Sequence, residues 1–257
     1  MNSLLFGIFF SCLSAFSSDV SLVDVKVGVS QAIPIQSKMF KTPKYNFIFS
    51  SDDYNFRLAY KLITKEVFVA LLPPEYALKA IWASDNLDIV GKTFQHDVYL
   101  VSPDKNKVIS KESIKDKNIF LLENSADEFY LKKYLGNIQF QKKSMTALEM
   151  MKLVEKRDGV GFILMDSMNY LKLKKKDNKI NALRIDGGVY YIVMLEASNL
   201  IMLDSESKNA FKKNKIPYSE ITKNDLRELK DLNNFIVKKR LGQENFEALY
   251  SMLMLRD

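Results

Sequence analysis

The chain has 257 residues, 47% of them hydrophobic and 27% charged, with nine glycines and six prolines. This is a globular composition with room for one large or two medium cores, and it excludes a long disordered linker. The net charge of +7 comes mostly from scattered lysines. Their one cluster, Lys172, Lys174, Lys175 and Lys176, carries no nucleic-acid motif and reads as a solvated helix end that complements the dipole.

Leu4–Phe16 is apolar, too short to span a bilayer, and of the length of a signal-peptide core. Ala15 and Ser17 place small residues at a cleavage site. A signal peptide over residues 1–17 is expected, with an extracytoplasmic mature chain; the alternative is a buried first helix. Cys12 is the only cysteine. Cleavage would remove it, which excludes thiol catalysis and a cysteine-ligated metal. Val23–Val29 alternates as a first strand would. Ser30–Lys44, with Pro34 and Pro43, shows no helical period. Tyr45–Phe49 is a buried strand, and Ser51, Asp52 and Asp53 offer N-cap oxygens to a helix carrying Leu58, Ala59, Leu62 and Ile63. Val67–Leu72 is a second buried strand, and Pro73-Pro74 opens a helix to Ala83. Strand, crossover and strand imply a parallel sheet whose ligands bind beyond the carboxyl ends, here Ser50, Ser51, Tyr54, Glu75 and Tyr76.

Leu87–Val90 and Val98–Val101 are apolar runs either side of His96, the sole histidine. Asp104–Asp116 reads as a charged loop. Asn118–Glu123 is a strand. Ser125 with Glu128, and Thr146 with Glu149, read as capping boxes. Phe129, Leu131, Tyr134 and Leu135 form the apolar face after the first, and Ala147, Met150, Met151 and Val154 after the second. Val160–Met165 is a strand, and Asp166-Ser167 caps Met168–Lys172. A β-α-β-α order thus occurs twice, as in a two-lobe α/β protein. Ala182–Ile185, a turn at Gly187-Gly188 and Val189–Leu195 form a return leg. Thr222 and Asp225 start a helix with Leu226, Leu229, Leu232, Phe235 and Ile236 inward; Gly242 stops it, and a last helix carries Phe246, Leu249, Tyr250 and Leu253.

Catalytic and nucleotide-binding motifs are missing, and His96 has no evident partner as a general base. Backbone N–H groups at Ser125–Asp127 and Ser144–Thr146 are candidates for holding an anion.

The order Asp53-Tyr54, helix, short apolar strand, then Pro73-x-x-Tyr76-Ala77 resembles the phosphonate-type (phosphate, phosphite and phosphonate) periplasmic substrate-binding proteins of ABC transporters. The resemblance runs from about Val25 to Lys172. It implies an α/β, two-lobe type II periplasmic-binding-protein fold of mixed sheets flanked by helices. Residues 18–97 and 183–257 would form lobe one and 98–182 lobe two. Val25–Ser30, Tyr45–Phe49 and Val67–Leu72 would lie in one sheet, and Asn118–Glu123 and Val160–Met165 in another. The resemblance further implies a non-enzymatic monomer that closes over a small-molecule solute for a membrane permease or a sensor, without cofactor or metal. Tyr54, Tyr76, His96, Ser125 and Thr146 would line the cleft. Two other classes stay open: a cytoplasmic enzyme of this fold acting on a small aromatic metabolite, and a ligand-free interaction protein. Asp127 and Glu128 at the start of the helix after Ser125 would repel a dianion, so a neutral, cationic or weakly anionic solute is expected.

Overall fold

The computed structural model describes residues 22–35, 38–52, 54–102, 109–122, 125–146, 149–150, 152–153, 161–195 and 204–237. The expected signal peptide, the Gly242 stop, the last helix and much of the Ala147–Val154 stripe lie outside the described residues.

Valines drive the first lobe. In β1 (Val23–Ser30) the last four residues are all buried, as in a strand covered on both faces. It pairs in parallel with β3 (Tyr45–Asp52) and β4 (Val69–Leu72), and β2 (Met39–Lys41) adds an antiparallel edge on β3. The crossover between β3 and β4 is α1 (Asn55–Ile63), which buries Leu58, Ala59 and Leu62. α2 (Pro74–Ala83) follows β4 with Pro74 at its first position, where a missing N–H leaves no bond unmade. Phe40, Phe47, Phe49 and Phe211 form an aromatic core on one face of this sheet.

The second lobe repeats the plan. β6 (Asn118–Leu122) pairs in parallel with β7 (Gln141–Met145) and β8 (Gly161–Asp166). Around them stand α3 (Lys111–Ile114), α4 (Asp127–Leu135) and α5 (Ser167–Lys176). Leu100, Ile119, Leu121, Leu131, Phe162 and Leu164 share its core.

Two long strands join the lobes. β5 (Leu87–Ser102) and β9 (Asn181–Leu195) pair antiparallel along their whole length. β4 adds to β9 at Tyr191–Met194, while β8 adds to the far half of β5 at Val98–Val101. The nine strands of the described residues therefore lie in one sheet, ordered β2-β3-β1-β4-β9-β5-β8-β6-β7. This corrects the expectation of a separate sheet for each lobe. The ladder continues because β5 and β9 stay bonded as they cross, and the division shows instead as register shifts at Ile89/Gly91, Lys92/Gln95 and Gln95/Asp97. The lobes keep distinct hydrophobic cores on either side of that zone.

Three smaller expectations also change. Leu87–Val90 and Val98–Val101 belong to one strand, and Gly187-Gly188 is a strand interior rather than a turn. Asp104–Asp116 contains α3, started by a Ser110–Ser113 capping box. After α6 (Ser205–Lys213), the helix over 223–237, here α7, buries Leu229 against the first lobe and Leu232 and Ile236 against the second. Leu226 faces solvent instead of the core.

Candidate functional site

The starts of α2 and α4 meet at the hinge. Glu75, in the first turn of α2, is buried. Its Oε2 accepts from the N–H of Ala126 at 2.8 Å, a bond between the two lobes. Its Oε1 binds Lys79, whose Nζ also stands 4.9 Å from the centre of the Tyr76 ring. Ser125 Oγ accepts from the N–H of Asp127 at 3.0 Å. Two amides at the start of α4, the place expected to hold an anion, are thus occupied by the chain's own oxygens.

The expected capping box of Ser125 and Glu128 does not form. The N-cap position falls on Ala126, which has no capping side chain, and Glu128 turns away to Lys132 at 2.9 Å and Lys142 at 2.7 Å. Burial opposes the charge on Glu128, but the two lysines outweigh it and hold the carboxyl at about 2. Glu128 is therefore a tie between α4 and β7, and of the two acids expected to face a solute only Asp127 lines the cavity described below.

His96 sits in β5 within the register shift between Gln95 and Asp97. A Cβ on Gly187 would lie 2.8 Å from His96 Cδ2, so glycine in β9 is what lets the ring pack against that strand. The ring packs edge-on against Tyr190 at 5.2 Å and Tyr130 at 6.4 Å. Burial drives its pKa down to about 4, with Asp186 opposing weakly. Burial, reinforced by Glu228 and Asp127, likewise raises the Tyr130 phenol well above its ordinary value. Both groups are neutral at pH 7. His96 is 4% and Tyr130 2% exposed, and neither His96 Nδ1 nor the Tyr130 hydroxyl has a hydrogen-bond partner among the described residues. Asp166 closes the ring of polar groups: it caps α5 by accepting from Asn169 N–H at 2.7 Å, and burial raises its carboxyl despite that bond and Lys172.

These side chains line one cavity of about 60 Å3. Asn55, Pro74, Glu75 and Tyr76 come from the first lobe; Leu122, Ser125, Asp127 and Tyr130 from the second; His96 and Asp166 from β5 and β8. A cavity of about 130 Å3 lies on the α7 side of the hinge, lined by Gln95, Asp186, Asp225 and Glu228. Its acids are satisfied internally, by Gln95 on Asp186, Lys92 on Asp225 and Lys133 on Glu228. The smaller cavity is the one with unmet polar groups.

Of the residues expected at the cleft, Tyr76, His96 and Ser125 come together here. Tyr54 does not line the cavity: it is the N-cap of α1, half-exposed, with Arg57 5.0 Å and Lys172 4.1 Å from its ring centre. Its helix has no side-chain cap, because β3 runs on to Asp52 and the Asp52 carboxylate goes to Lys61 and to Tyr54 N–H. Thr146 is also elsewhere, closing the expected capping box with Glu149. Sequence reasoning missed Tyr130 and Asp166. Tyr130 lies three residues after Asp127, on the same helical face, and that spacing was the available signal.

No family model and no curated protein matches the sequence. Solved structures do match. The periplasmic aliphatic sulphonate binding protein of Escherichia coli superposes with a TM-score of 0.59 at 11% identity, over 86% of this chain and 89% of its own. The alkanesulfonate-binding protein of Xanthomonas axonopodis pv. citri, bound to MOPS, gives 0.56 at 10% identity over 85% and 94%. A binding protein component of an ABC phosphonate transporter from Pseudomonas aeruginosa gives 0.50 at 10% identity over 91% and 95%. The chain has the two-lobe type II fold of ABC-transporter periplasmic binding proteins, carried by a divergent sequence.

Proposed function

We propose that the protein is an exported solute-binding protein, not an enzyme, that closes two lobes over a small molecule and presents the closed form to a membrane permease or sensor. The observation that carries this reading is the convergence of Tyr76 from one lobe, Ser125 and Tyr130 from the other, and His96 from the crossing strand on one cavity at the hinge. That is where a domain closure buries a ligand, with apolar walls and a few polar groups to orient it. The unpaired Nδ1 of His96 and hydroxyl of Tyr130 support the reading, since a buried polar group without a partner is costly unless something supplies one. Export is supported by the apolar run Leu4–Phe16 and the small residues after it.

The test is to purify the native protein, sequence its N-terminus, and identify by mass spectrometry any small molecule released on denaturation. A mature start near Ser18 and a stoichiometric solute are expected. An intact Met1 on a cytoplasmic protein that turns over a small aromatic metabolite would replace this reading with an enzymatic one. A chain with no solute and no thermal shift against a broad panel would leave an interaction protein.

A further inference from the structure

We infer that Asn55, His96 and Tyr130 are the side chains that read the solute's buried head, and that this head is an uncharged group which both donates and accepts hydrogen bonds, a hydroxyl or a carboxamide. The inference rests on the reading of this cavity as the solute site.

Unmet hydrogen-bonding capacity gives the first reason. Asn55 is the first residue of α1 and is 6% exposed, yet its Oδ1 has no hydrogen-bond partner among the described residues. His96 Nδ1 and the Tyr130 hydroxyl are in the same state, and all three residues line the one cavity. They come from three places: Asn55 from the first lobe, Tyr130 from the second, and His96 from the strand that crosses between them. The cavity of about 130 Å3 on the α7 side has no such atom in its lining. A buried polar atom without a partner is costly, so three that converge on one cavity mark it as a place completed by a molecule from outside the chain.

The chemistry of the three groups gives the second. The Asn55 carboxamide oxygen accepts. The neutral imidazole accepts or donates at Nδ1 according to its tautomer, and the phenol does both. None carries charge at pH 7, because burial lowers the His96 pKa to about 4 and raises the Tyr130 phenol well above its ordinary value. A head that offers donors and acceptors together meets all three.

Neither sign of charge finds a free counter-charge in the lining. No lysine or arginine is there, and the N–H groups of Ala126 and Asp127 are bonded to Glu75 and Ser125. Of the acids, Glu75 is bonded to Lys79 and Ala126, Asp127 has an interaction of its own, and Asp166 caps α5 while burial favours its neutral form. A buried charge is costly unless it is paired, and an uncharged head escapes that penalty. Pro73, Pro74 and Leu122 give the cavity an apolar side for a carbon skeleton. A bound water needs about 10–15 Å3, so a cavity of about 60 Å3 holds a head of a few heavy atoms, with the rest of the solute along the cleft.

The experiment is calorimetry on the full mature protein, stripped of any co-purified molecule. The uncharged probes are benzamide, nicotinamide, D-ribose and glycerol. Benzoate and benzamidine keep the shape of benzamide and carry a negative and a positive charge. At least one uncharged probe should bind, with no heat from either ion, and Asn55→Ala and Tyr130→Phe should each weaken that binding tenfold or more. Melting of the stripped protein adds a reading that needs no ligand. Tyr130→Phe removes a hydroxyl without a partner, so its Tm should equal or exceed that of wild type while its affinity falls. A lower Tm, or an unchanged affinity, would overturn the assignment of Tyr130. Binding of benzoate or benzamidine in place of the uncharged probes would overturn the inference while keeping the solute-binding reading. Silence across the panel would overturn it too, and a small molecule released from the native protein and identified by mass spectrometry would then still uphold the solute-binding reading.

Discussion

His96 should make the fold acid-labile between pH 6.5 and 4, a window into which Asp166, raised by burial, also moves, but equally in wild type and in a His96 variant. It is the only histidine in the chain, and its pKa falls from 6.5 to about 4 in the folded protein, chiefly through burial. The unfolded chain takes up this proton near pH 6.5 and the folded one only near pH 4. Stability contributed by the neutral buried ring is therefore complete above pH 6.5 and is lost progressively as pH falls to 4. A shift from 6.5 to about 4, at 1.36 kcal/mol per unit, corresponds to a loss of about 3 kcal/mol. For a chain of this size that is a fall in Tm of about 6–12 °C. The assay is thermal melting of wild type and His96→Gln at half-unit steps from pH 7 to 4. The glutamine variant should start less stable and descend less steeply, so that the two curves converge toward pH 4. Glu128, held at about 2, and Asp52 and Asp225, both lowered by lysine partners against a burial cost, lose their contributions mainly below this window and do so in both proteins. Parallel curves between pH 6.5 and 4 would refute the assignment of His96 as a buried neutral group.

Gly187→Ala places a Cβ 2.8 Å from His96 Cδ2, 2.9 Å from Val98 Cγ2 and 3.1 Å from the His96 carbonyl oxygen. Overpacking of this kind costs about 1–3 kcal/mol, so Tm should drop by several degrees and solute affinity should fall with it as His96 is displaced. An unchanged Tm would show that the strand yields freely there. Thr146→Ala should cost about 1 kcal/mol through the lost cap on Glu149 N–H, with solute affinity unchanged by titration. A loss of affinity instead would return Thr146 to the site.

What the sequence disclosed and what it hid divide along physical lines. Strands buried on both faces announce themselves as unbroken apolar runs, so Val67–Leu72 and Val160–Met165 were readable. The proline pair at Pro73-Pro74 marked the start of α2. The crossing was less legible. β5 carries Lys92, Thr93, Gln95, His96 and Asp97 in its middle, a polar stretch that reads as a loop, yet pairing with β9 keeps it extended. The same blindness turned Gly187-Gly188 into a turn, when Gly187 clears His96 and Gly188 takes a positive φ of 86°. At the cleft, local patterns misled wherever a distant residue outbid a near one. Glu128 had a capping partner three residues away but went to Lys142 on β7, and the α4 amide went to Glu75, far off in the chain. Thr146 and Glu149 met no such competitor, and their box formed.

Glu75 ties the two lobes together at the cleft. The bond from Ala126 N–H to Glu75 Oε2 exists only when the lobes are together, because its two ends belong to different lobes. A hydrogen bond to a charged group contributes a net of about 1.5–3 kcal/mol. At 1.4 kcal/mol per tenfold, that biases the closed arrangement by a factor of about 10–150 before any solute arrives. A solute shifts this equilibrium further only through what it gains in the closed form and not in the open one. An anion seeking the α4 amide gains little by that measure. It must displace Glu75, forfeiting the bond that favoured closure, and then sit beside the displaced carboxylate. A solute that leaves the bond between Glu75 and Ala126 in place keeps that bias, so closure and binding reinforce each other.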